Sequence, residues 1–212
     1  MKRSEELLKK ALEHDKMLLT KTGEKLNPDV FVQAVDMISK ARHVYILGVR
    51  SCAPLAEYLG YYMHQIHADV RVIRTNSASE IFEQLLHLDK RDVVVGISFP
   101  RYSMRVLKAL EFANSRSAGI ITLTDNPHSP VCLYSSCNLL AYTKMTSIVD
   151  SMTAPIAVIN ALVVALCAKN RKAVFENLQE MERIWQEYPV DSSDEMNFLN
   201  ADTRIQKDIS DI

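Results

Sequence analysis

From His43 onward the chain alternates short runs rich in Val and Ile with longer amphipathic segments, and no other feature limits its fold so strongly. The runs are HVYILG at 43–48, DVRVIR at 69–74, DVVVGI at 92–97, AGIITLT at 118–124 and SCNLLAY at 136–142. Between them, Leu55, Leu59, Tyr62, Met63 and Ile66 mark one side of a helix, and Val106, Leu107, Leu110 and Ala113 mark another. Strand and helix alternating at this spacing form βαβ units, whose right-handed crossovers build a parallel sheet. The runs at 43–48, 92–97 and 118–124 are almost continuously apolar, as strands covered on both faces must be. DVRVIR instead alternates and exposes Arg71 and Arg74, so it belongs at a sheet edge. A central first strand and an edge second strand predict an α/β, three-layer fold with the flavodoxin-like strand order 2-1-3-4-5.

Two helical regions and a tail flank this unit. In residues 1–42, Leu7, Leu8, Ala11, Leu12, Leu18 and Leu19 form an apolar stripe at helical spacing. Asn27 followed by Pro28 is a helix start signal, opening a second helix with Phe31, Ala34, Val35 and Ile38 on one face. After the fifth run comes an apolar helix at about 151–168, then an amphipathic one carrying Phe175, Leu178, Met181 and Trp185. The expected organisation is linker helices at 1–42, an α/β domain at 43–189 and an acidic tail at 190–212, mobile or laid on a partner subunit.

Composition removes several function classes. With 25 basic against 26 acidic residues, the chain has no global charge with which to hold a polyanion. The N-terminus MKRSEELLKK is too charged for a signal peptide, and the apolar stretch 154–168 is interrupted by Pro155 and Asn160 and too short to span a membrane. A cytoplasmic location is expected. Cys52, Cys132, Cys137 and Cys167 lack zinc-ligand spacing and read as buried free thiols. His64 and His67, three apart on one helix, have no third ligand nearby, so neither a metal nor a cofactor is expected.

In an open doubly wound sheet, ligands bind beyond the carboxyl ends of the strands where the winding reverses. For the order 2-1-3-4-5 that point lies between strands 1 and 3, at the loops Gly48-Val49-Arg50-Ser51-Cys52 and Ser98-Phe99-Pro100-Arg101-Tyr102-Ser103. Each precedes a helix, whose first N–H groups are unpaired and whose dipole favours negative charge by about 0.3–1 kcal/mol. Two arginines and three serines converge there, and each hydrogen bond to a charged group adds about 1.5–3 kcal/mol. The crevice therefore reads as an anion site.

The segments ILGVRS, VVVGISFPRYS and IITLTDNPHSPV, with a long helix after a fifth strand, resemble the sugar isomerase (SIS) domain of the RpiR family of bacterial transcriptional regulators over about residues 40–170. The resemblance implies that Ser51 belongs to the first phosphate loop, that Ser98 and Ser103 belong to the second, and that Thr124 and Asp125 form the turn after strand 4. Together with Gly48, Arg50, Arg101 and Tyr102 these are the expected ligand-binding residues. Pro100, Arg101 and Tyr102 stand where that loop usually reads serine-glycine-glutamate, and Arg50 where a second glycine often lies. Guanidinium groups then replace close backbone approach.

The resemblance implies a sensor of a phosphorylated sugar or similar small anion that performs no chemistry, and a homodimer with the apolar helix near its interface. The regulators carry an N-terminal helix-turn-helix, and residues before 40 have neither the length nor the basic recognition helix for one, so DNA would be reached only through a module outside this sequence. An aldose-ketose isomerase is the alternative, and it needs a base. The helix at 151–168 has no carboxylate, which leaves Asp150 and Glu80 as candidates, Glu80 reading rather as a first-turn acid of its own helix. His128 lies in the loop after strand 4 without an assigned role. An FMN carrier is disfavoured because the first loop is poor in hydroxyls. The identity of the sugar is beyond the sequence.

Overall fold

The computed structural model describes residues 2–146 and 149–188, so the acidic tail expected at 190–212 lies outside the described residues. The chain opens with α1 (Lys2–Lys25) and α2 (Pro28–Lys40), and then alternates β1 (Val44–Gly48), α3 (Ala53–Ile66), β2 (Val70–Val72), α4 (Ala78–Gln84), β3 (Val93–Ile97), α5 (Met104–Ser115), β4 (Gly119–Thr124) and β5 (Cys137–Leu140). A short antiparallel pair, β6 (Met145–Thr146) and β7 (Val149–Asp150), leads into α6 (Thr153–Lys169) and α7 (Arg171–Glu187). The five long strands are all parallel in the order β2-β1-β3-β4-β5, with β2 at an edge as its alternation requires.

The continuous apolar runs are explained by two cores. Val44 and Ile46 of β1 pack with α2, α3 and α6 on one face, whereas Tyr45 and Leu47 pack with α4 and α5 on the other. Because neither face meets water, a polar side chain on either is costly unless it is hydrogen-bonded. Thr122 of β4 illustrates the exception, donating to Asn138 Oδ1 of β5 at 2.6 Å. Helix α3 sits so close to β2 that a methyl added at Gly60 would lie 2.2 Å from Val72 Cγ2.

At the amino ends of the strands, away from the ligand crevice expected at their carboxyl ends, the buried carboxylate of Asp92 gathers four bonds. Arg42 Nε and Nη2 donate to it at 2.9 and 2.7 Å, the Asp89 N–H at 2.8 Å, and His43 Nδ1 lies 2.9 Å away. Burial alone would raise the pKa of Asp92, but Arg42, the Asp89 N–H and His43 outweigh it and hold the group below the usual carboxylate range.

Asn27 caps α2 by accepting the Asp29 N–H at 2.9 Å, as the Asn-Pro signal predicts. In α1 the second half packs, with Leu18 and Thr22 buried, while Leu7, Leu8 and Leu12 are each about 60% exposed. Helix α6 is largely apolar, and Ile156 and Val164 remain exposed on it together with Asn160. Among the described residues no single helix is long and apolar enough to cross a membrane.

Candidate functional site

The carboxyl ends of β1 and β3 lie side by side, with Gly48 opposite Ile97, so the two loops leave the sheet as neighbours. The first must turn into α3 within a few residues, and it folds back so tightly that a Cβ on Gly48 would meet the Cys52 carbonyl oxygen at 2.5 Å. Arg50 makes that turn in the left-handed region at φ 58°, opening a 3-10 turn over Arg50–Cys52. In the second loop Arg101 does the same at φ 68°. A left-handed conformation costs a side-chain-bearing residue roughly 1–2 kcal/mol. Two such arginines at facing loops are the kind of stored strain that collects at binding sites.

Between the loops is a cavity of about 140 Å³, walled by Arg50, Ser51, Ser98, Arg101 and Ser103, with Val49, Cys52, Phe99 and Pro100 completing it. The serines of the second loop are fixed by the backbone. Ser98 Oγ accepts the Ser103 N–H at 3.4 Å, and Ser103 Oγ caps α5 by accepting the Arg105 N–H at 3.3 Å. A hydroxyl that accepts in this way keeps its own proton to donate. Ser51, by contrast, lies inside the 3-10 turn and caps no helix, since α3 begins after Cys52 without a side-chain cap. Burial pushes the Cys52 thiol up against the opposing pull of the Phe99 backbone and Ser51, with the Asp150 carboxylate adding to the rise. A thiol held neutral is a wall and not a nucleophile.

The remaining expected residues do not line this cavity. Gly48 lines an adjoining cavity of about 200 Å³, with Glu57 and Arg74 at its rim, where Arg74 Nε bonds both Glu57 carboxylate oxygens at 2.8 and 2.9 Å. Tyr102 Oη donates to Asp125 Oδ1 at 2.8 Å, and burial together with that carboxylate pushes the phenol up to about 12, so it stays a neutral donor. Thr124 is fully buried beneath this pair, and its Oγ1 has no hydrogen-bond partner among the described residues. The structure thus brings five of the nine expected residues to one cavity and places Gly48, Tyr102, Thr124 and Asp125 outside its lining.

Both carboxylates weighed as bases are engaged. Glu80, in the first turn of α4, accepts the Thr75 hydroxyl, and Asp150 accepts Arg101 Nη2 at 2.7 Å. His67 is not on one helix with His64 as expected, since α3 ends at Ile66 and His67 caps it in extended conformation; both tie down backbone, His64 at the Gly60 carbonyl and His67 Nε2 at the Ala41 carbonyl, 2.9 Å away. The adjoining cavity with Glu57, Arg74, Thr75 and Asn76 was not anticipated from sequence, although the polar run Thr75-Asn76-Ser77 just after an edge strand was a usable signal.

Comparison with known proteins gives the same picture. The SIS domain model matches residues 37–165. An uncharacterized HTH-type transcriptional regulator of Clostridium perfringens is 25% identical over 146 residues, 69% of this chain and 51% of that protein, so the chain spans about half the length of the curated relative it matches. The sugar isomerase domain of an RpiR transcription factor from Sphaerobacter thermophilus superposes with a TM-score of 0.80 at 25% identity, covering 84% of this chain and 98% of that one. Vibrio vulnificus NanR, solved in complex with ManNAc-6P, shares the fold with a TM-score of 0.75 at 15% identity over 88% of this chain and 70% of that one. With the strand order, the two loops and these likenesses in agreement, the chain belongs to the SIS domain family, in a form similar to the sugar isomerase domain of RpiR transcription factors.

Proposed function

We propose that residues 43–189 form the phosphosugar-sensing domain of an RpiR-type regulator, which binds a phosphorylated sugar or similar small anion without turning it over. The observation that carries this reading is the cavity between the β1 and β3 loops, where Arg50, Ser51, Ser98, Arg101 and Ser103 converge at the ends of two helices. The engagement of Glu80 by Thr75 and of Asp150 by Arg101 favours sensing over isomerisation, since neither is left as a ready base. The complex of the related NanR with ManNAc-6P supports a phosphorylated sugar as the ligand class.

Sensing requires that two states bind the ligand unequally. The start of α6 is bonded to α1, Thr153 Oγ1 donating to Asp15 Oδ2 at 2.8 Å, so a ligand that shifts the pocket wall can pass the shift to α1 and to an attached DNA-binding module. The exposed Ile156 and Val164 on the largely apolar α6 support a homodimer through that helix, since a second copy would cover them.

A thermal-shift panel of sugar phosphates tests the proposal. Saturation at 100 times Kd stabilises by about 2.7 kcal/mol, and for a domain of this size each kcal/mol raises Tm by about 2–4 °C. One ligand class should give a shift of this order with no product formed. Conversion of an aldose phosphate to a ketose phosphate, or no shift across the panel, contradicts the reading.

A further inference from the structure

The ion pair between Arg101 and Asp150 adds a selectivity element to the anion pocket, an inference that rests on the reading of that pocket given above. The two partners are unequally placed. Asp150 ends β7 with its side chain only 10% exposed, whereas the Arg101 side chain is 57% exposed at the mouth of the cavity. The carboxylate is therefore fixed by its surroundings, and the long guanidinium arm is the member able to turn. Its backbone sits at φ 68°, and its side chain both lines the cavity and reaches Asp150. The same carboxylate acts on the Cys52 thiol of the cavity wall, which puts its charge within reach of any anion bound there.

We propose that Asp150 is the pocket's resident counter-ion, and that an anion binds by taking Arg101 over from it. The exchange sets which anions are accepted. A singly charged carboxylate such as acetate replaces one carboxylate by another on Arg101 and gains little, while leaving Asp150 buried without its partner. A phosphate dianion engages Arg101 and Arg50 together and so overcomes that cost. The cost of parting Arg101 from Asp150 falls on every anion alike, so only an anion with enough further contacts is still held at useful affinity.

Titration calorimetry with inorganic phosphate and with acetate, on the wild-type chain, Asp150→Asn, Arg101→Ala and the double variant, tests this. Asp150→Asn is expected to tighten phosphate binding about tenfold, the worth of one charged hydrogen bond near the low end of its range, and to bring acetate binding into the measurable range. In the Arg101→Ala background the gain should shrink to a small fraction. If phosphate binds the wild-type chain and Asp150→Asn equally, or if the full gain persists without Arg101, the exchange is wrong while the pocket stands. If phosphate binds none of the four proteins, the pocket reading itself fails. Should Asp150→Asn not fold, Asp150→Ser and the Arg101 side-chain 15N signal of the wild-type chain during phosphate titration give the same decision. A signal that does not move at saturation contradicts the exchange.

Discussion

Replacing Arg50 by glycine should make the protein more stable and a poorer binder, two effects of opposite sign from one side chain. Arg50 is exposed and sits at φ 58°, so its removal empties no core and relieves a left-handed residue. The relief is roughly 1–2 kcal/mol, offset by about 0.5–1 kcal/mol for the greater freedom of glycine in the unfolded chain. The net gain is then about 0–1.5 kcal/mol, or up to about 6 °C in Tm for a chain of this size. The same change removes one guanidinium from the cavity, and the loss of a charged hydrogen bond, about 1.5–3 kcal/mol, weakens a sugar phosphate by about 10- to 150-fold. Calorimetric unfolding without ligand measures the first effect, and titration with the strongest ligand of the thermal-shift panel measures the second. A variant less stable than the wild type would show that φ 58° is not strained at this position. Unchanged affinity would show that Arg50 does not face the ligand.

Other outcomes follow from the packing. Asp92→Ala removes a buried carboxylate and the bonds it accepts, while Arg42, about a third exposed, keeps Asp89 at 3.0 Å, and should cost about 1–3 kcal/mol in urea unfolding. Because the pKa of Asp92 is lowered in the folded state, its contribution is complete above the unfolded value of about 4 and is lost as pH falls through and below it. Wild-type stability should therefore drop below about pH 4, with a smaller drop in Asp92→Ala, as read by urea midpoints across pH. Gly60→Ala forces a methyl onto Val72 and should cost about 1–3 kcal/mol, partly recovered by adding Val72→Ala. Ile156→Asp on the exposed side of α6 should yield a monomer in sedimentation while phosphate affinity stays within about twofold; a wild-type monomer at micromolar concentration would remove the dimer.

The architecture was legible because β1, β3 and β4 are covered on both faces and β2 on one, which leaves continuous and alternating apolar patterns respectively. That contrast fixes β2 at an edge, and the edge fixes the winding reversal beside β1, hence the two loops. The bond between Arg101 and Asp150 was not legible, since it joins residues 49 apart and depends on β6 and β7, each two residues long and too short to show a period. The left-handed backbone of Arg50 and Arg101 was signalled only by the resemblance, which has glycine at both positions, because arginine itself gives no local signal for it. Thr124 and Asp125 stand at the expected turn, and neither lines the cavity between the two loops: Thr124 is buried and Asp125 accepts the Tyr102 hydroxyl. Side-chain periodicity reports which face is covered; it does not report which covered polar group meets a cavity.

The most direct measurement is a crystal structure with the sugar phosphate that gives the largest thermal shift. The account predicts a phosphoryl group beyond β1 and β3, within hydrogen-bond distance of the Ser51 and Ser103 hydroxyls and the Arg50 guanidinium. A ligand bound elsewhere, with this cavity empty and Ser51 and Ser98 turned from each other, would contradict it.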